Sequence, residues 1–168
     1  MGDQRLEGIF RPEGEIPQAC RLEEACRQRE YLVDGELRRW EGPVQEVFSP
    51  VLIERGGRLL RKAVGSYPLL GEAEALQALE AAAGAYDHGS GLWPTMRVEE
   101  RIDAVGRFLR GMVERRAQVV RLLLWEIGKS LEDSEKEFDR TVAYVSATLE
   151  ALNAFERGVG LTRVCQKA

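Results

Sequence analysis

The sequence predicts a mixed α/β chain, with antiparallel strands first and a layer of about four helices second. Three observations carry this. An Asp34-Gly35 pair separates two short β-prone runs, and the hydrophobic period changes near Gly71 from two to three-and-four. The third is that 44% of the 168 residues are apolar, enough for a core at a length that can bury roughly two thirds of the unfolded surface. Order and periodicity alone leave α/β and α+β both open.

Met1 to Arg29 mix charges with Pro12, Gly14 and Pro17 and sustain no period, so residues 1–30 are expected to form an extension, with one short helical turn at Leu22 to Arg27. Tyr31, Leu32 and Val33 before Asp34-Gly35, and Glu36 to Trp40 after it, form a hairpin signal, because both turn residues tolerate positive φ. Val44 to Phe48, Val51 to Glu54 and Leu59 to Val64 read as two or three more short strands, split by Ser49-Pro50 and by Arg55-Gly56-Gly57. Leu76, Leu79, Ala83 and Tyr86 then place one apolar face on a first helix that Asp87-His88-Gly89-Ser90-Gly91 stops. Val98, Ile102, Val105, Leu109 and Met112 define a second, with Arg97, Glu100, Arg107, Arg110 and Glu114 opposite. A third, Ala117 to Ile127, is apolar on most sides and is expected to be buried, with Gly128 as its stop. The fourth runs from Leu131 to Leu152 through Phe138, Val142, Val145 and Leu149, with Asp133 and Glu135 near the positive end of its dipole.

Composition excludes several functions. The net charge of −4 lacks the basic footprint that nucleic acid or an anionic membrane requires. No run approaches the roughly 18 apolar residues of a spanning helix, and Met1 to Glu15 carries charges where a signal peptide needs an apolar stretch, so a cytoplasmic address is expected. Cys20, Cys26 and Cys165 form neither a C-x-x-C pair nor a cluster with histidine, which points to reduced thiols and no metal site.

Candidate chemistry is sparse. The one histidine, His88, sits in a Gly-rich turn beside Ser90. Gly89-Ser90-Gly91 is not the G-x-S-x-G elbow of hydrolases, and no G-x-G-x-x-G follows a strand. Glu99-Glu100, Glu132-Asp133 and Glu135 with Glu137 fall on charged helix faces that solvation explains. Arg101 and Arg140 each carry a planar fork that suits a phosphate or carboxylate, although ion pairing explains them equally well. No catalytic residue emerges from this reading.

The runs Tyr31-Leu-Val-Asp-Gly-Glu36, Gly65-Ser-Tyr-Pro-Leu69, Ala85-Tyr-Asp87, Trp93-Pro-Thr-Met96, Glu100-Arg-Ile102 and Trp125-Glu-Ile-Gly-Lys-Ser130 resemble the N-terminal region of aldehyde dehydrogenases. Asp133-Ser-Glu-Lys-Glu-Phe-Asp-Arg-Thr-Val-Ala-Tyr144, with the Trp-Pro-Thr-Met run, is similar to the NADP-dependent, non-phosphorylating glyceraldehyde-3-phosphate dehydrogenases of that superfamily. The resemblance spans roughly Ile9 to Leu152. It implies a partial aldehyde dehydrogenase fold, with residues 31–152 the N-terminal part of the domain and the cofactor and catalytic domains missing. It also implies oxidation of glyceraldehyde 3-phosphate to 3-phosphoglycerate with NADP, through a cysteine thiohemiacetal and glutamate-assisted hydrolysis, in a homo-oligomer. The family's nucleophilic Cys and general-base Glu lie beyond the helix ending near Leu152, and Cys165 does not match the nucleophile's motif. The isolated chain is therefore expected to be inactive and to bind no NADP alone. One family position carries over: the Arg of the Phe-Asp-Arg-Thr run, associated with the phosphorylated substrate, is Arg140.

After Leu152 the periodicity fails at Gly158 and Gly160, so residues 153–168 are expected to be a divergent tail of a truncated or frameshifted product. The alternative expectation is a non-catalytic interaction module that binds a full-length dehydrogenase subunit.

Overall fold

The computed structural model describes residues 9–158. Its strands are β1 (Cys26–Arg27), β2 (Glu30–Val33), β3 (Glu36–Arg39), β4 (Val44–Arg55) and β5 (Arg58–Pro68). Its helices are α1 (Glu72–Tyr86), α2 (Leu92–Thr95), α3 (Val98–Glu114), α4 (Arg116–Ile127) and α5 (Leu131–Glu156). Strands thus precede helices, as the change of period predicts. The chain divides into two compact units, Met1–Ala75 with Ala117–Glu135 and Leu76–Arg116 with Lys136–Ala168.

The first unit holds both sheets and nearly all of α4. β2 and β3 pair antiparallel with Val33 opposite Glu36 and Leu32 opposite Leu37, around Asp34 and Gly35 at φ 52° and 74°. Two successive left-handed residues make the turn whose twist matches that of the strands. The second sheet has the order β1-β5-β4: β4 and β5 are antiparallel, while β1 adds a parallel pairing of Cys26 to Gly65 and Arg27 to Ser66. Gly65 is required there, because a Cβ would run into the Cys26 carbonyl.

Two local expectations are corrected. Leu22 to Arg27 is not a helical turn; single 3-10 turns lie earlier, at Glu13–Glu15 and Gln18–Cys20, and Cys26–Arg27 is strand. Ser49-Pro50 does not divide a strand either. β4 runs through it with shifts of register between Val47 and Phe48 and between Phe48 and Leu52. A proline has no N–H to give a ladder, so the chain bulges, and the fully buried Ser49 stabilises the bulge. Its hydroxyl donates to the Trp125 carbonyl at 2.5 Å and accepts from the Val51 N–H at 3.0 Å.

Ile53, Val64 and Trp125 form the core of this unit, with Ile16, Leu22, Val47, Val51, Leu122 and Leu124 packed around them. The apolar run in α4 is buried only in part: Val120 and Trp125 are buried, Val119, Leu122, Leu123 and Leu124 are half-buried, and Ile127 is exposed. Gly128, at φ 77°, ends α4, its N–H bonding the Leu124 carbonyl at 3.0 Å.

The second unit is helical. On α3 the stripe Val98, Ile102, Val105, Leu109 and Met112 is half-buried to buried, and Arg97, Glu100, Arg107, Arg110 and Glu114 are exposed. On α5, Phe138 is buried and Val142, Val145 and Leu149 are half-buried. The helix continues past Leu152 to Glu156, and the Gly158 N–H then bonds the Phe155 carbonyl at 3.0 Å. The α1 stripe behaves differently, since Leu76, Leu79 and Tyr86 are all exposed. After α1, Asp87, His88 and Gly89 have φ of 42°, 51° and 90°, which stops the helix, and the short α2 follows. Pro94 is tolerated in α2 because the first-turn N–H groups have no intrahelical partner.

Candidate functional site

Arg140 lies on α5, one position after Asp139 in the run that carries the resemblance. Asp139 is taken up by Arg116, whose Nε donates to Oδ1 at 2.8 Å and Nη2 to Oδ2 at 2.7 Å, the parallel two-point geometry of a guanidinium and a carboxylate. Hydrogen bonding to Arg116 and its positive charge hold the Asp139 carboxyl below its ordinary value of 3.8. With that carboxylate occupied, the exposed Arg140 side chain makes no hydrogen bond or ion pair with another described residue.

Arg101, the other arginine singled out, sits half-buried on α3, and its Nε is buried without a hydrogen-bond partner among the described residues. His88 is exposed, and no hydrogen bond between it and the Ser90 hydroxyl is found among the described residues. Cys20 and Cys26 are free thiols, while Cys165 lies outside the described residues. The described residues bring together no three His, Cys, Asp or Glu able to hold a metal, and no helix among them is long and apolar enough to cross a membrane.

Reading the sequence missed a second charged cluster in the first unit. Glu13 accepts from Lys62 at 2.7 Å and from Arg55 Nε at 3.0 Å, with the Arg55 Nη2 on the same oxygen, and Lys62 stands over the Trp125 ring at 5.5 Å from its centroid. Glu13 is 42 residues from Arg55 and 49 from Lys62, a separation that no local pattern reveals.

A dinucleotide cradle needs a strand, a glycine-rich turn and a helix between parallel strands. Among the described residues, the only parallel pairing between strands is the two-residue one of β1 with β5, and no helix connects those two strands. The described residues form no such cradle, and no step through NADP is assigned to them.

The sequence of the later part of the chain matches a known pattern. The model of the aldehyde dehydrogenase family matches residues 57–163, which is more than half the chain and includes β5, all five helices, Arg101 and Arg140. This chain belongs to the aldehyde dehydrogenase family, whose members generally use NAD(P). Its architecture is consistent with part of such a domain. No curated protein matches the chain.

Proposed function

We propose that this chain is the N-terminal part of an aldehyde dehydrogenase that oxidises glyceraldehyde 3-phosphate to 3-phosphoglycerate with NADP in the cytoplasm. Arg140 supplies one contact to the substrate phosphate, and the chain alone turns nothing over. The observation that carries this reading is the state of Arg140: exposed and without a hydrogen-bond or ion-pair partner among the described residues, beside a carboxylate already paired with Arg116. A guanidinium with free donors suits a phosphate, whereas one bound to Asp139 would not.

The test is titration of the chain with 3-phosphoglycerate, followed by NMR of the Arg140 side chain. Arg140→Ala should weaken binding about tenfold or more, the loss expected for a charged hydrogen bond, and Arg140→Lys should retain part of it. Equal binding by the Ala variant ends the assignment.

A second reading is favoured by the β2–β3 hairpin. Leu32 and Leu37 face each other across it and are 67% and 68% exposed, an apolar pair on a sheet edge of the kind that another chain can cover. On this reading the chain binds a full-length dehydrogenase subunit, and co-elution at a fixed ratio separates it from the first.

A further inference from the structure

The segment Arg11–Arg21 lies before the region that matches the family, yet it is tied to the first unit at several points. Pro12 bridges to Glu54, and the Glu54 N–H donates to the Arg11 carbonyl at 3.3 Å. At the other end the Trp125 indole N–H donates to the Cys20 carbonyl at 2.7 Å. Between them Glu13 holds Arg55 on one oxygen and Lys62 on the other. Arg21 braces the segment internally, donating to the carbonyls of Ile16 at 2.7 Å and Gly14 at 2.8 Å. A cavity of about 350 Å³ lined by Glu13, Ile16, Arg21, Leu22, Lys62 and Trp125 adjoins it.

None of residues 11–21 is fully buried: Ile16 packs at the edge of the Ile53, Val64 and Trp125 core, and hydrogen bonds and ion pairs make the other attachments. Lys62 is different, with its side chain only 14% exposed between Glu13 and the Trp125 ring. An ammonium so placed depends on its carboxylate, because loss of one partner of a sequestered pair leaves a charge that must find water. The hydrogen bonds from these two partners also hold the Glu13 carboxyl below its ordinary value, Lys62 most strongly and Arg55 next. The other charges nearby are Arg21 and Glu23 on the cavity and Arg11 paired with Glu15 at 3.3 Å.

We propose that Arg11–Arg21 is a releasable strap, latched onto the β4–β5 hairpin by the Glu13 carboxylate, and that its release uncovers Lys62 and one face of Trp125. Salt loosens the Arg55 half of the latch most, because that side chain is 65% exposed, and screens the less exposed Lys62 half less. This inference does not depend on the phosphate reading.

Acetylation of the full chain with acetic anhydride, read residue by residue by mass spectrometry, tests it. The chain has four lysines, Lys62, Lys129, Lys136 and Lys167, and the exposed Lys136 serves as internal standard. Lys62 should label several-fold more slowly than Lys136 in low salt. Glu13→Gln, and 1 M salt on the wild type, should each raise Lys62 labelling several-fold without changing Lys136 or the far-ultraviolet circular dichroism. Arg55→Gln, which leaves the Glu13–Lys62 pair intact, should give an intermediate rise. An unchanged Lys62 ratio in Glu13→Gln overturns the strap. So does a rise with Glu13→Gln but none with Arg55→Gln, which would reflect only the chemistry of Lys62, or a rise accompanied by loss of helical signal.

Discussion

In the unit built on β4, β5 and α4, Ile53, Val64 and Trp125 are 4%, 3% and 3% exposed, and hydrogen bonds from Ser49 and to Cys20 hold the Trp125 carbonyl and indole. In the helical unit, Leu109 and Phe138 are buried while Leu79, Phe108, Tyr144 and Phe155 are 64%, 68%, 76% and 60% exposed. The same chain thus contains a sheet that closes a small core and helices that leave several large apolar side chains, those of the α1 stripe among them, facing water. Large apolar side chains exposed in number on amphipathic helices mark surfaces suited to further protein. The difference teaches that helical periodicity reports which face seeks cover, not whether the cover is present.

The comparison can be broken most directly at Trp125. Trp125→Ala should cost about 3–5 kcal/mol, the range for truncating a buried aromatic, and abolish cooperative denaturant unfolding of the sheet unit. A variant that melts with the wild-type midpoint would mean that the core described here does not organise the sheet.

Ser49→Ala is expected to have an intermediate effect. It leaves the Trp125 carbonyl without its side-chain donor and the Val51 N–H without its acceptor, in a site with no exposure, and should cost about 1–3 kcal/mol by the same unfolding measurement. Ser49→Thr, which keeps the hydroxyl, should recover part of this if the extra methyl fits. Full stability in the Ala variant would show that the bulge forms without its serine.

The smallest effect belongs to the helical unit. Because Arg116 lowers the folded value of Asp139 below the ordinary 3.8, this pair stabilises the fold fully above that value, and the contribution disappears as pH falls through the lowered value. Amide exchange along α5 should therefore be unchanged from neutral pH to about 5, after correction for intrinsic rates, and accelerate only in stronger acid. Acceleration between pH 6 and 5 would point to a different titrating group.

Much of the fold was legible because its signals are local. Asp34-Gly35 specifies its own turn, and the α3 stripe from Val98 to Met112 separates buried from exposed positions down to individual arginines. What escaped depends on residues distant in sequence. Ser49-Pro50 reads as a break until the Trp125 carbonyl supplies a reason for strand to continue through it. β1 is two residues long and exists because Gly65, 39 positions from Cys26, lets the backbones approach. Of the candidate site, only the residue type of Arg140 was legible. Its availability is set by the pairing of Asp139 with Arg116, 23 positions away, and its role was read from resemblance rather than from physics.

Trp125 also bears on the order in which the molecule can be made. It contacts Ser49 across 76 residues and Cys20 across 105, so the strands leave the ribosome long before the residue that completes their core. During that interval β4 and β5 can pair with each other, but their apolar face lacks Leu122, Leu124 and Trp125 to pack against. Such high contact order slows folding and leaves unpaired strand edges open to wrong partners. Nascent chains halted before α4 should therefore collect chaperones, and those halted just beyond it should begin to shed them.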